Sequence, residues 1–162
     1  RARSSFGKQL DEKQKAKFMY GIRERQFRSY VEEANRREGD SGVNLHKLLE
    51  SRFDNVIYRM GFANTRAQAR QFVNHGLFLV NGKKMDIPSY ATKVGDEVVI
   101  KENKKQKKIF EAISEQLSNS QPPSWIKVDP ADQKGKIVSV PNNDDFENVF
   151  DVKLIIEYYA TR

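Results

Sequence analysis

Thr65-Arg66-Ala67-Gln68-Ala69-Arg70-Gln71-Phe72-Val73-Asn74-His75-Gly76-Leu77-Phe78-Leu79-Val80-Asn81-Gly82-Lys83-Lys84 is the stretch on which the reading of this chain turns. Thr65 followed by Gln68 has capping-box spacing: the hydroxyl accepts from an orphan amide and the Gln reaches back. Ala69, Phe72 and Val73 fall at i, i+3, i+4 and form one apolar seam. Arg66, Arg70 and Asn74 recur every four residues and form a strip beside it. Gly76 stands where a left-handed cap is wanted. Leu77–Val80 has the length of a buried strand, and Asn81-Gly82 is the strongest two-residue hairpin signal. Lys83 and Lys84 leave the turn on adjacent positions, one on each face of the returning strand. A capped helix and a hairpin thus present several cations from stiff backbone, which points to nucleic-acid binding rather than catalysis.

Upstream, Arg1–Gly7 has little pattern and reads as an arm. Gln9–Tyr20 reads as a Lys-rich helix stopped by Gly21. Arg23–Arg37 is a cleaner helix, with Phe27, Tyr30, Val31 and Ala34 on one seam and Arg25 and Arg28 off it. Leu45, Leu48, Leu49, Phe53, Val56, Ile57 and Met60 keep helical rhythm for four turns, so Asn44–Met60 reads as one helix with Asn44 as N-cap and Gly61 beyond its end. Arg52, Asn55 and Arg59 share another face of it. Downstream, Lys83–Ile87 and Glu97–Lys101 read as strands. Lys101–Lys108 holds five lysines and leads into a helix over about 105–117. Trp125–Val128 and Lys136–Val140 read as strands around an Asp-Pro turn. Asp151–Tyr159 fits either a strand or a buried helix.

The chain has 162 residues, enough for one or two small domains, with net charge +7 and no cysteine. Disulfides and cysteine-based zinc sites are therefore excluded within it. The charge is uneven: +4 over residues 1–40, +7 over 41–110 and −4 over 111–162. A polyanion partner is expected on the first two thirds, and solvent or a basic partner on the acidic end. No apolar run approaches a membrane span and no signal peptide is visible, so a soluble intracellular protein is expected, with no membrane partner. The chain opens on Arg1 rather than Met, which fits a fragment or a processed form.

Enzyme chemistry finds little support. His46 and His75 are the only histidines, and no G-x-G-x-x-G or P-loop occurs. No metal site and no cofactor are expected. Carboxylates among the basic residues read as solvated ion pairs on helix faces. His75 has two readings, a nucleic-acid contact or a cationic cap on the helix end. Tyr58 and Tyr20 read as core edges before stacking platforms. The Lys101–Lys108 run reads as a solvated linker before a phosphate contact. No base-reading recognition helix and no RRM-type aromatic motif is present, so shape-led recognition of folded RNA is favoured.

Further strings carry a resemblance. Gln9-Leu10-Asp11-Glu12-Lys13-Gln14-Lys15, Tyr20-Gly21 with Glu24-Arg25-Gln26-Phe27-Arg28, and Leu48-Leu49-Glu50-Ser51-Arg52-Phe53-Asp54-Asn55-Val56 are similar to the bacterial small-subunit ribosomal protein S-four family. So are Tyr58-Arg59-Met60-Gly61-Phe62, the Thr65 stretch and Ile87-Pro88-Ser89-Tyr90. The resemblance implies an α+β protein: a helical N-terminal domain plus a second domain with a helix–helix–β-hairpin RNA-binding module and a small, mostly antiparallel sheet. The implied boundaries are 1–42, joined by 146–162, and 43–145, with the module at about 50–112. It implies a structural, non-enzymatic protein of the small ribosomal subunit in the cytoplasm. Such a protein binds the 5′ domain of 16S ribosomal RNA at a multi-helix junction, nucleates assembly and contributes to translational accuracy. Neighbouring small-subunit ribosomal proteins and mRNA are further implied partners.

Arg66, Arg70, Asn74, His75, Lys83 and Lys84 match the module's RNA-facing positions, and Arg23, Arg25 and Arg28 match the basic helix of the first domain. With Lys8, Lys13, Arg52 and Arg59 they make up the expected RNA-binding set, two basic domains gripping phosphates of a folded junction. Two departures stand out. The basic segment that usually precedes this point in the family, sometimes with metal-binding cysteines, is absent, and Lys134–Phe150 is more acidic than usual. Alternative readings are a non-ribosomal RNA-binding regulator, or the appended RNA-binding part of an RNA-modifying enzyme.

Overall fold

The computed structural model describes residues 4–104, 113–142, 146 and 149–162. Lys105, Lys107 and Lys108 of the lysine run, and the start of the helix expected over 105–117, lie outside the described residues. The chain divides into two compact units, one taking the chain to Leu49 and again from Asn142, the other Glu50–Pro141.

The first unit is helical. Helix α1 (Ser5–Tyr20) starts earlier than the pattern suggested, because the Ser4 hydroxyl accepts the Gly7 amide at 3.0 Å. Ser5–Gly7 are therefore helix, not arm. Gly21, at φ +67°, ends α1. Helix α2 (Glu24–Arg36) buries Phe27, Val31 and Ala34. Helix α3 (Ser41–Glu50) begins after Asp40, whose carboxylate accepts the Val43 amide at 2.9 Å. Asn44, read from sequence as the N-cap, sits a turn inside. Its amide donates to the carbonyls of Ala34 and Glu38, both at 3.1 Å, and so ties down the end of α2. Leu45 and Leu49 join Ala16, Tyr20, Phe27, Val31, Phe150 and Ile155 in one core. The domain boundary drawn at 42/43 thus differs from the observed division, since α3 packs its leucines with the N-terminal helices. His46 is packed between Phe146 and Phe150, ring centroids 4.3 and 5.0 Å away.

The Asp151–Tyr159 ambiguity resolves as a helix, labelled here α7 (Val152–Ala160). Asp151 caps it by accepting from the Lys153 and Leu154 amides. Ile155 is fully buried, and Tyr159 donates to Glu24 at 2.9 Å. Lys13 and Lys17 pair with the same carboxylate at 2.9 and 3.1 Å. Burial opposes ionisation of Glu24, but these hydrogen bonds outweigh it and hold its pKa down to about 2, against an ordinary 4.5. Because the folded value is the lower one, the stabilisation is complete above about pH 4.5 and is lost as the pH falls towards 2. The side chain is 39% exposed, so solvent screening limits the effect to about 1 kcal/mol or less. Thermal melts followed by circular dichroism at pH 6 and 3 are expected to show a smaller acid-induced drop in Tm for Glu24→Gln than for wild type. Equal drops would mean that Glu24 does not carry this linkage.

The second unit is α+β. Its elements are α4 (Phe53–Met60), α5 (Arg66–Asn74), β1 (Phe78–Val80), β2 (Lys83–Lys84), β3 (Glu97–Ile100), α6 (Ile113–Asn119), β4 (Ile126–Asp129) and β5 (Lys134–Ile137). The strands form one sheet in the order β2-β1-β3-β5-β4, with every pairing antiparallel. The core joins Phe53, Val56, Ile57, Met60, Phe72, Val73, Phe78, Val98, Ile100, Trp125 and Ile137. Gly135 lets Met60 lie directly on β5, where a Cβ would collide with the Met60 thioether. The returning strand of the hairpin is two residues long rather than five, and β5 starts two residues before the expected Lys136.

The helix expected over Asn44–Met60 is broken at Ser51–Arg52. Arg52 is extended (φ −60°, ψ 138°), and a downstream loop supplies the partners that a continuous helix would have supplied. Phe53 N–H donates to Tyr90 O at 2.9 Å, Asp54 N–H to Pro88 O at 3.0 Å, and Thr92 N–H to Ser51 O at 2.9 Å. The apolar rhythm runs unbroken through the sequence because Leu45 and Leu49 serve one core while Phe53, Val56 and Met60 serve the other. Among the described residues, no helix is long and apolar enough to cross a membrane.

Candidate nucleic-acid interface

Helix α5 is set by its ends. Thr65 Oγ1 accepts the Gln68 amide at 3.0 Å. The Gln68 side chain reaches back one residue further than a capping box requires and accepts the Asn64 amide at 2.7 Å. Ala69, Phe72 and Val73 are buried, so the strip carrying Arg66, Arg70 and Asn74 is held at the outer edge. His75 is exposed and donates its backbone N–H to Gln71 O, and Gly76 turns the chain at φ +70°. A Cβ on Gly76 would lie 2.8 Å from Lys84 Cε. The hairpin lysine therefore crosses the end of α5 at Gly76.

The hairpin tip is fixed from below. Asn81 and Gly82 adopt φ +51° and +83°, as a type I′ turn needs. Asn81 accepts the Glu97 amide at 3.0 Å and donates to Asp96 at 2.9 Å. The buried Asp96 carboxylate also accepts Tyr90 Oη–H at 2.8 Å and the Lys93 amide at 2.9 Å. Burial, reinforced by the Asp96 bond, pushes the Tyr90 phenol up to about 12. Lys83 and Lys84 are both exposed on this anchored tip, and Lys84 lies 3.8 Å from Asp86.

The arginines of α4 and α5 form a connected cluster. Arg66 Nε donates to Asn55 Oδ1 at 2.9 Å, and its guanidinium lies 4.5 Å from the centroid of the Tyr58 ring. Arg59 approaches the same ring at 5.8 Å and makes a two-point pair with Glu50 at 2.9 and 3.3 Å. Arg70 Nε donates to Asp54 at 3.3 Å. Arg52 forks onto the same carboxylate at 3.1 and 3.0 Å, and Asp54 also accepts the Asn55 amide at 2.7 Å. Arg52 is only 4% exposed, so it is an internal strut rather than the surface cation expected from its helix face. Glu50 and Asp54 are each 1% exposed, which corrects the reading of such carboxylates as solvated pairs. The sequence pattern set Asn55 on one face with Arg52 and Arg59 and Tyr58 at a core edge, where it packs, but it did not single out Glu50 and Asp54. The available signal was the acid two residues after Arg52 at the start of a helix, where a carboxylate suits the dipole.

The cations of the first unit are distributed differently. Lys8, Arg23 and Arg25 are exposed, with Arg23 at the entry to α2. The Arg28 guanidinium lies 5.1 Å from the Tyr159 ring centroid. Lys13 is 6% exposed, paired with Glu24 and 4.7 Å from the Tyr158 ring, so it too is held inside the packing. Among the described residues no group of three His, Cys, Asp or Glu side chains is placed to hold a metal ion.

Comparison with known proteins places this geometry. Residues 51–98 match the family model of the S4 domain, and residues 1–50 that of the ribosomal protein S4/S9 N-terminal domain. Small ribosomal subunit protein uS4 of Albidiferax ferrireducens is 49% identical over 160 residues, covering 97% of this chain and 76% of that protein. The chain belongs to the uS4 family. The uS4 proteins of Chloroflexus aurantiacus (45% over 159 residues) and a Sulfurihydrogenibium species (47% over 158) cover 97% of this chain and 77% and 78% of their own lengths. The uS4 family is one of ribosomal proteins, not of enzymes. Its two matched domains meet at 50/51, one residue from the division at Leu49/Glu50. The S4 domain match holds Arg52, Arg59, Arg66, Arg70, Asn74, His75, Lys83 and Lys84. The N-terminal match holds Lys8, Lys13, Arg23, Arg25 and Arg28.

Proposed function

We propose that this protein is a structural component of the small ribosomal subunit that binds the 5′ domain of 16S ribosomal RNA directly and nucleates assembly around it. The observation that carries this reading is the continuity of the cationic edge in the second unit. It runs from Arg59 and Arg66, both close to the Tyr58 ring, through Arg70 and along α5 to Gly76, where Lys84 crosses the helix end. Guanidinium groups suit phosphate oxygens because their planar donors make two parallel bonds. Backbone held by caps, a Gly turn and an anchored hairpin presents them without ordering cost at binding. Such contacts recognise RNA by shape and phosphate spacing.

Arg23, Arg25, Arg28 and Lys8 contribute contacts from the first unit, while Lys13 and Arg52 act as internal supports. The protein works in the cytoplasm, on the ribosome, beside neighbouring small-subunit proteins and near mRNA, and its grip on the junction contributes to translational accuracy. Hydroxyl-radical footprinting of a transcribed 5′-domain RNA is expected to show protection clustered at one multi-helix junction, persisting under excess competitor tRNA. Protection scattered along the RNA and abolished by tRNA would overturn the proposal.

A further inference from the structure

We infer that the buried carboxylates Asp54 and Glu50 are positioning residues for RNA binding. They fix the guanidinium planes of Arg70 and Arg59 before RNA arrives, so removing their negative charge weakens RNA binding although it makes the protein more basic. The inference rests on the RNA-binding reading above and adds to it a role for two acids that a charge argument alone would count as harmful.

Asp54 is 1% exposed and accepts four hydrogen bonds, from Arg52 Nε and Nη2, Arg70 Nε and the Asn55 amide. Both carboxylate oxygens are thus engaged twice. Arg52 is locked on one side of it, while Arg70, 32% exposed at the surface edge, is held on the other. A guanidinium carries five donors in one plane, and the Nε bond to Asp54 sets the direction of that plane. Glu50 does the same for Arg59, whose side chain is 12% exposed, through bonds to both carboxylate oxygens. Asn55 extends the frame: its amide donates to Glu50 O at 2.8 Å and its oxygen accepts Arg66 Nε.

Three guanidiniums on one edge, Arg59, Arg66 and Arg70, are therefore each tied by Nε to a buried acceptor on or beside the first turn of α4. Long side chains fixed in advance lose little freedom on binding. Coulombic repulsion from a carboxylate paired with arginine is largely cancelled by its own partner. Preorganisation and bare charge therefore predict opposite signs for the same substitution.

The test measures binding of the full chain to 5′-domain RNA for wild type, Asp54→Asn, Arg70→Lys and the double variant, across a range of salt. Asp54→Asn is expected to bind about tenfold more weakly. Arg70→Lys, which keeps the charge and loses the oriented plane, should lose a similar factor with an unchanged salt slope. The double variant should lose little more than either single one, because both remove the same orientation. Circular dichroism and Trp125 fluorescence check that each variant is folded.

A folded Asp54→Asn that binds as tightly as wild type or more tightly overturns the inference, as does a double variant showing the product of the two single losses. Should Asp54→Asn fail to fold, Arg70→Lys decides, since its side chain lies partly exposed: wild-type affinity overturns the inference, and a loss at constant salt slope supports it. Absence of binding by wild type would overturn the RNA-binding reading and this inference together. The other negative outcomes leave that reading standing.

Discussion

Replacing Arg66 and Arg70 together by alanine is expected to weaken binding to 5′-domain RNA by about 30- to 150-fold, from two charge-assisted contacts of roughly 1–1.5 kcal/mol each. The dependence on salt should flatten as well. Each phosphate contact releases condensed counterions and contributes about 0.7–0.9 to the slope of log affinity against log salt, so losing two contacts lowers it by about 1.5. The fold should survive. Ala69, Phe72 and Val73 make the buried side of α5, and Asp54 keeps its two bonds from Arg52. Alanine is also the better helix former. Titrations at several salt concentrations, with circular dichroism as the folding control, measure both effects. Unchanged affinity and slope in a folded double variant would remove this strip from the interface.

Phe53→Ala is expected to cost about 3–5 kcal/mol, a large share of the roughly 5–15 kcal/mol that keeps a typical domain folded. Phe53 is fully buried at the first turn of α4, with Phe78 and Tyr90 edge-on at 6.2 and 6.1 Å. Its backbone N–H also holds the loop at Tyr90 against the start of that helix. The truncation therefore opens a cavity where helix, sheet and loop meet. Trp125, the only tryptophan, is buried in the same core and reports the loss through its fluorescence in a urea titration. Phe18→Ala is the matched control. Phe18 is 82% exposed, so its truncation should change stability by less than about 0.5 kcal/mol. Equal midpoints for Phe53→Ala and Phe18→Ala would contradict this account of the core.

The local elements were readable wherever short-range chemistry decides them. Thr65 at an N-cap, Gly21, Gly61 and Gly76 at positive φ, and the Asn81-Gly82 turn all stand where their side chains or lack of one predicted. The seams of α2 and α5 are buried as their spacing required. Errors arose where one pattern served two purposes. Asn44 has the chemistry of an N-cap, but its amide was drawn to the carbonyls closing α2. The rhythm from Leu45 to Met60 suited one helix, yet hydrogen bonds from the loop at residues 88–92 make a break there as well satisfied as continuity.

Helix ends, hairpin tip, apolar seams and the gathering of basic groups along α5 were all set by neighbours in the chain, because they follow from capping, glycine geometry and periodicity within a few residues. Strings in the sequence also carried the family resemblance. Which cations are presented and which are struts was settled by long-range packing alone. Arg52 and Arg70 look alike in sequence, but one is 4% exposed beneath the surface and the other lies at its edge, both on the Asp54 carboxylate. That distinction depends on desolvation and on partners sixteen residues apart in the chain, which no local rule encodes.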